Sequence, residues 1–300
     1  AVLIPILMIA AVGSAARPFG AVASTRRPLA RACVIASETA SEPSYTLIST
    51  ALLAELMGVE QKQCCTEGLP TLKNRYFALR HGQSTANVEG VISSDPAVGT
   101  VRHGLTTEGR LQARRAATAL IDAVGRDHLN KLHFIASDFT RAYETAEEAL
   151  AAVINVMQFE ASVFLPDRIE LAELPPCLET VTRTKLLRER WFGSLDALEL
   201  HNYNRVWPRD LVSAEHDYCD VESVTSVTAR IRQLFLELEE RHSGCTIVLT
   251  SHADTLQITQ CYVAGVDPRT FSQYRFKNGE VRELRQDAES MPEPVPLTYQ

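Results

Sequence analysis

Apolar positions along the chain follow two patterns that alternate. Short runs rich in aromatic and β-branched residues, at 75–79 (RYFAL), 132–136 (LHFIA) and 246–250 (TIVLT), read as strands. The last is continuously apolar, as in strands buried on both faces of a parallel sheet. Between them, apolar residues recur every three to four positions and predict helices over 106–124, 141–154, 222–242 and 255–264. Thr106 is placed to cap the first of these, with Glu108 in its first turn. Val224, Val227, Ile231, Leu234, Phe235 and Leu238 mark the buried stripe of the third. Strands separated by helices predict an α/β domain over residues 72–286, its sheet covered on both faces. In such sheets ligands bind at the carboxyl ends of the strands.

Outside that domain the pattern changes. Residues 1–12 (AVLIPILMIAAV) are almost wholly apolar, small residues follow at 13–16, and Arg17, Arg26, Arg27 and Arg31 precede the first carboxylate, Glu38. A short apolar core with a small-residue exit resembles a signal segment, and the acid-free Arg/Ser/Ala stretch resembles an organelle transit peptide. In series they resemble the bipartite leaders of plastid-targeted proteins in algae with complex plastids. Residues 1–44 are therefore expected to be a disordered targeting leader with a plastid destination. The alternative is a cytoplasmic protein with a disordered extension. Residues 45–58 predict one helix ending at Gly58 and packed on the domain, followed by a polar linker to residue 71 that contains Cys64-Cys65. Residues 287–300, with Pro292, Pro294 and Pro296, read as a disordered tail.

Composition narrows the function. Hydrophobic residues at 45% and charged residues at 22% suit a chain with a sizeable core. A net charge of −7 argues against a nucleic-acid partner, which requires a basic face. No apolar run reaches the roughly 18 residues of a membrane span, so the mature protein is expected to need no membrane. Seven cysteines without a C-x-x-C pair make neither a disulfide framework nor a zinc ribbon.

The chemistry collects at the strand exits. The first strand runs into Arg80-His81-Gly82-Gln83-Ser84, with Asn87 just beyond; the second runs into Ser137-Asp138-Phe139-Thr140-Arg141-Ala142; the third runs into Ser251-His252. Two histidines and two arginines thus reach one edge of one sheet. Arginine grips phosphate through paired donors, and neutral imidazole attacks phosphorus or carries a proton near neutrality. Gly82 would let the backbone approach a ligand and offer its N–H to an oxyanion. Such a cluster reads as a phosphoryl-transfer site.

These residues resemble the histidine phosphatase superfamily, which includes the cofactor-dependent phosphoglycerate mutases. Arg80-His81-Gly82 with Ser84 and Asn87 looks like its first signature. Ser137 to Ala142 with Thr145-Ala146 is similar to the second block, Leu187-Arg188-Glu189-Arg190-Trp191-Phe192-Gly193 to the third, and Ser251-His252-Ala253 to the last. Leu105-Thr106, Gly109 and Gln112-Ala113 match the stretch that opens the first long helix. Four blocks in the family's order, spread over about 210 residues, are far more specific than any one tripeptide.

The resemblance implies a three-layer α/β/α sandwich around a mostly parallel sheet, and a phosphatase acting on a small phosphorylated metabolite without cofactor or metal. His81 would take the phosphoryl group, Arg80 and Arg141 would clamp its oxygens, and His252 would donate to the transferring group. Glu189 would protonate the leaving oxygen and then activate water. Asn87 would add a phosphate contact, and Arg190 would lie near the substrate's non-reacting part. Two features compete with this reading. A second tripeptide, Arg102-His103-Gly104, follows a loop and lacks the downstream Asn, so its histidine is read as a loop residue near the pocket. Glu189, between two arginines, competes with a solvated salt-bridge face, with Glu173, Glu179 and Asp254 as substitute acids. His128, His133, His201, His216 and His242 have no block context and read as surface or structural.

The chain also departs from the family. Ala253 replaces the usual glycine, which is tolerated where φ is negative. Trp191-Phe192 removes a tyrosine hydroxyl that the mutases carry, and residues 194–204 contain no lysine. Losing substrate anchors favours release to water, which ranks a phosphatase above a mutase, with a non-catalytic binding relative as the third reading.

Overall fold

The three strands read from the sequence are the centre of a five-stranded sheet. The computed structural model describes residues 32–37, 44–164 and 175–296. In chain order, β1 (Ala32–Ser37) and β2 (Ser44–Ser49) pair as an antiparallel hairpin and lead into α1 (Thr50–Met57). The main sheet contains β3 (Arg75–Arg80), β4 (Leu132–Ser137), β5 (Thr182–Thr184), β6 (Thr246–Ser251) and β7 (Val281–Leu284) in the order β5-β4-β6-β3-β7. The first four are mutually parallel, and β7 runs antiparallel along β3.

The pleat divides the core into two layers. Tyr76, Ala78, Ile247 and Leu249 face the helices α7 (Val224–Arg241) and α8 (Ala253–Val263), packing on Val227, Ile231, Phe235 and Leu256. Phe77, Leu79, Phe134 and Val248 face the helices α4 (Thr107–Val124) and α5 (Thr140–Phe164), packing on Ala117, Leu120, Ala146 and Val153. The result is the expected α/β/α sandwich. Small residues on α4 and α5 let both helices lie close over the sheet. Thr106 caps α4 by accepting from the Gly109 N–H, as its position suggested.

Three segments differ from the sequence reading. Residues 45–49, read as the start of a helix, belong to the strand β2; Tyr45, Thr46, Leu47 and Ile48 favour extended backbone, and the partner strand β1 lies within the segment read as a disordered leader. The rest of that leader, residues 1–31 and 38–43, lies outside the described residues. The helix itself, α1, packs as expected, placing Leu53 and Ala54 against Leu211 and Val212 of α6 (Tyr203–Val212). The tail also departs from the disorder read from its prolines. Met291 packs on the core and the Val295 N–H donates to the Gln273 carbonyl at 2.8 Å, so one apolar anchor and one backbone bond hold residues 287–296 along the domain. Among the described residues, no helix is long and apolar enough to cross a membrane.

Candidate active site

Parallel pairing places three strand exits side by side. The His81 N–H donates to the Ser251 carbonyl at 2.9 Å, extending the β3–β6 ladder one residue beyond the sheet. Arg141 enters from the first turn of α5 just past β4, and His252 caps α8 just past β6. A cavity of about 480 Å³ opens above these ends, and Arg80, His81, Asn87, Arg141, Glu189 and Ala253 all line it.

His81 is 3% exposed, and its ring is fixed at both nitrogens. Nδ1 lies 2.7 Å from the Gly82 carbonyl, which can only accept, so the proton sits on Nδ1 and Nε2 carries an unprotonated lone pair. Arg141 donates from Nε to that Nε2 at 3.3 Å, and its terminal nitrogens donate to the Ser93 Oγ and carbonyl at 3.3 and 2.8 Å. Burial first, then the Arg141 and Arg80 guanidinium groups, hold His81 well below the ordinary histidine range. The imidazole is therefore neutral at pH 7, the form that acts as a nucleophile.

The His252 ring lies 5.2 Å from that of His81, centroid to centroid, and packs edge-on to Phe139. Its Nε2 is 2.9 Å from Ser137 Oγ, at the end of β4, whereas its buried Nδ1 has no partner. Burial, then Arg141, also depresses His252. Arg80 donates to the Phe276 carbonyl at 2.6 Å, and its Nε is buried without a partner. Arg80, next to His81 in the chain, and His252, whose ring lies against it, thus each carry a buried polar atom without a partner. Unsatisfied buried groups cost free energy, and an anion between them would relieve Arg80 directly.

Glu189 is resolved in favour of the cavity. Its neighbours turn away from it: Arg188 forks onto Asp138 at 2.7 and 2.6 Å, and Arg190 forks onto Asp210 at 2.8 and 2.7 Å. Glu189, 8% exposed, keeps one oxygen on the Arg190 and Thr255 N–H groups at 3.0 and 3.4 Å. Of the substitute acids, Glu179 is exposed and away from the cavity, and Glu173 lies outside the described residues. Asp254 does line it. Burial first, and the Glu189 charge second, push Asp254 up to about 8. Its contact with Arg190, at 3.6 Å, does not reverse this because Asp210 already neutralises that guanidinium.

Two expected roles are corrected. Gly82 does not offer its N–H to a ligand; that group donates to Thr145 Oγ1 at 3.0 Å. The glycine is needed instead for packing, since a Cβ there would lie 2.3 Å from the Gly109 carbonyl oxygen in the first turn of α4. Arg190 does not reach the cavity. It is fully buried, with Nε on the Glu222 carbonyl and its fork on Asp210, because the backbone that aims Glu189 inward aims its neighbour into the core.

Asn87 completes a capping box at α2 (Thr85–Glu89), its Oδ1 accepting from the Ser84 N–H, so a ligand contact from Asn87 would come from its NH₂ group. Ala253 opens α8 with φ in the ordinary negative range, and its methyl causes no strain. His103 of the second tripeptide bonds Ser93 Oγ through Nδ1 at 2.8 Å and so buttresses the residue that holds Arg141. His201, read as surface or structural, lines the cavity.

The sequence reading missed the far wall. Tyr203 stacks on Trp207 at 4.9 Å, Arg275 lies over Trp207 at 5.0 Å, and all three line the cavity. Trp191 and Phe192, read as the loss of a hydroxyl, do not line it, and Tyr203 supplies a hydroxyl from α6. No block of the motif pattern covers this wall; the only local signal was an aromatic pair four residues apart on one helix face.

Comparison with known proteins follows the same lines. No curated protein matches the chain in sequence. The mycobacterial glucosyl-3-phosphoglycerate phosphatase solved with VO3 superposes with a TM-score of 0.50 at 22% identity, covering 70% of this chain and 92% of its own. Mycobacterial hydrolase 1 gives 0.50 at 22% identity over 70% and 88%, and the alpha-ribazole phosphatase of Shigella flexneri gives 0.46 at 21% over 70% and 89%. The first two likenesses establish the fold. The family model described as histidine phosphatase superfamily (branch 1) matches residues 76–161 and 171–292, which span the sheet, the cavity and all four blocks. The chain belongs to the histidine phosphatase superfamily.

Proposed function

We propose that the protein hydrolyses phosphomonoesters through a phosphohistidine on His81, acting on a small phosphorylated metabolite with no metal in the reaction. The observation that carries this reading is the state of His81: a neutral, oriented imidazole whose Nε2 lone pair faces a guanidinium at the floor of a cavity. In the first step Nε2 attacks phosphorus and the P–O bond to the alcohol breaks, while Glu189 gives the leaving oxygen its proton. In the second, Glu189 takes a proton from water, the water oxygen attacks phosphorus, the P–N bond breaks and inorganic phosphate leaves. Arg80, Arg141 and His252 hold the charge that spreads over the transferring oxygens, a task that preorganised donors perform without a metal ion. The cavity volume and the Tyr203–Trp207 wall suit a metabolite rather than a phosphoprotein segment, and the mycobacterial relative is named for a small phosphorylated metabolite.

Turnover of an aryl phosphate by the wild type and by His81→Ala tests the reading. Loss of His81 is expected to lower kcat by about 10³-fold or more, in line with removal of a covalent nucleophile. Acid-quenched wild type should retain no label, and alkali-quenched enzyme should retain phosphate as phosphohistidine. Undiminished turnover in the variant would overturn the proposal. A coupled assay with bisphosphoglycerate gives the mutase reading its own outcome. We further propose that the leader directs the protein to a plastid; a fluorescent protein fused behind residues 1–45 should leave the cytosol, and a diffuse cytosolic signal would refute this.

A further inference from the structure

We propose that His133, His242 and Cys245 form a binding site for a zinc-class divalent cation at the pole of the sheet opposite the catalytic cavity. His133 is the second residue of β4, Cys245 immediately precedes β6, and His242 caps the carboxyl end of α7. The catalytic cluster sits at the other end of these strands, six residues on and roughly 20 Å away.

The three donor atoms lie within 4.8 Å of one another, and all three side chains are half-buried. Tetrahedral zinc, with bonds of about 2.0–2.3 Å to nitrogen and sulfur, brings its ligand atoms to roughly 3.5 Å separation. Each donor needs to move by about an ångström or less, within reach of a side-chain rotation. The backbone that carries them is already fixed. Asn74 clamps both ends of the turn between the two later donors, donating to the His242 carbonyl at 2.9 Å and accepting from the Cys245 N–H at 2.9 Å. Gly244 makes that turn at φ +67. The β4–β6 register sets His133 opposite Ile247, on the face that α7 covers, and its ring meets that of His242 at 4.4 Å.

The chemistry of the donors points to one class of ion. Two imidazoles with one thiol suit zinc and its borderline-soft neighbours and exclude magnesium and calcium, which take oxygen ligands. Among the described residues neither ring is hydrogen-bonded to a carboxylate, so no carboxylate competes with an ion for either ring. Binding displaces one proton from the thiol, and three protein ligands leave the fourth position to water. An ion here would tie the end of α7 to β4 and β6, which makes it a stabilising site remote from the phosphoryl chemistry.

Cobalt(II) is the probe. Chelator-treated full-length protein titrated with Co²⁺ should develop tetrahedral d–d bands and a thiolate charge-transfer band, saturating at one equivalent and removed by Zn²⁺. Cys245→Ser should abolish the charge-transfer band, and Cys65→Ser should leave it unchanged. His133→Asn and His242→Asn should each weaken Co²⁺ binding by more than about 10-fold, since even changes behind the ligands cost 10–100-fold. Phosphatase turnover reports that each variant has folded, and the two histidine variants carry the test should Cys245→Ser fail to fold. Absence of the bands in the wild type, their persistence in Cys245→Ser, or their loss in Cys65→Ser would overturn the proposal.

Discussion

Arg141 donates from Nε to the Nε2 of His81 at 3.3 Å, placing a permanent cation on the lone pair of the proposed nucleophile. The contact orients the ring before substrate arrives. It also depresses the imidazole, second to burial, so that the attacking nitrogen is never masked by a proton near neutrality. The planar fork matters as much as the charge, because the other guanidinium nitrogens are held by Ser93.

Arg141→Lys keeps the charge and loses the fork. The expected outcome is a fall in kcat of about 10²–10³-fold, the usual cost of one preorganised donor at a developing charge. Steady-state kinetics with an aryl phosphate, paired with a thermal melt, measure it. A kcat within about threefold of wild type would remove Arg141 from the site.

Asp254 gives the cavity a pH response of its own. Protonated at pH 7, it adds no charge beside Glu189; above about 8 it ionises and opposes a phosphate dianion. KM for an aryl phosphate is expected to rise several-fold between pH 7 and pH 9. Asp254→Asn, neutral at every pH, should flatten that rise. A wild-type KM independent of pH over this interval would show that the carboxyl ionises elsewhere.

The contrast between these residues shows what a sequence makes legible. Strand exits are readable because a short apolar run fixes where a strand ends, and the next side chains must emerge at the sheet edge; Arg80, His81 and Arg141 line the cavity in that way, and His252 is buried beside His81, its ring 5.2 Å away. The third block is different, because no apolar period runs through Arg188-Glu189-Arg190 to state which side chain faces inward. The structure settles it through distant partners, Asp138 and Asp210, that are 50 and 20 residues away. Gly82 was misread for a related reason: a glycine at a strand exit serves a ligand or a neighbouring helix equally well, and only the closeness of Gly109 decides between them. The Tyr203–Trp207 wall was invisible because tertiary packing alone turns α6 toward the site.

Arg190 therefore belongs to the stability of the domain. It forms a fully buried fork on Asp210, which His216 also contacts at 2.7 Å. Arg190→Met would leave a buried carboxylate short of its main partner, at a cost of about 3–5 kcal/mol. For a domain of this size that corresponds to a fall in Tm of roughly 10 °C. Arg190→Met combined with Asp210→Leu should recover much of the loss, as apolar replacement of a whole buried pair often does. An unchanged Tm with a raised KM would return Arg190 to the substrate.

The two site histidines also predict how the fold responds to acid. Both are held well below the ordinary value of 6.5, by burial first and by Arg141 second. Above pH 6.5 each is neutral in the folded and unfolded chains alike, and neither affects stability. Below it the unfolded chain binds protons that the folded chain refuses, so stability falls as pH drops from 6.5 toward the folded values. The Tm is expected to decline steadily from pH 7 to pH 5. His252→Asn, which keeps a polar partner for Ser137 without a titrating group, should make that decline shallower. Phosphate should oppose it too, since an anion held between Arg80 and Arg141 offsets the charge that a protonated imidazole would add. Equal slopes in wild type and His252→Asn would mean that the acid sensitivity resides in other buried groups.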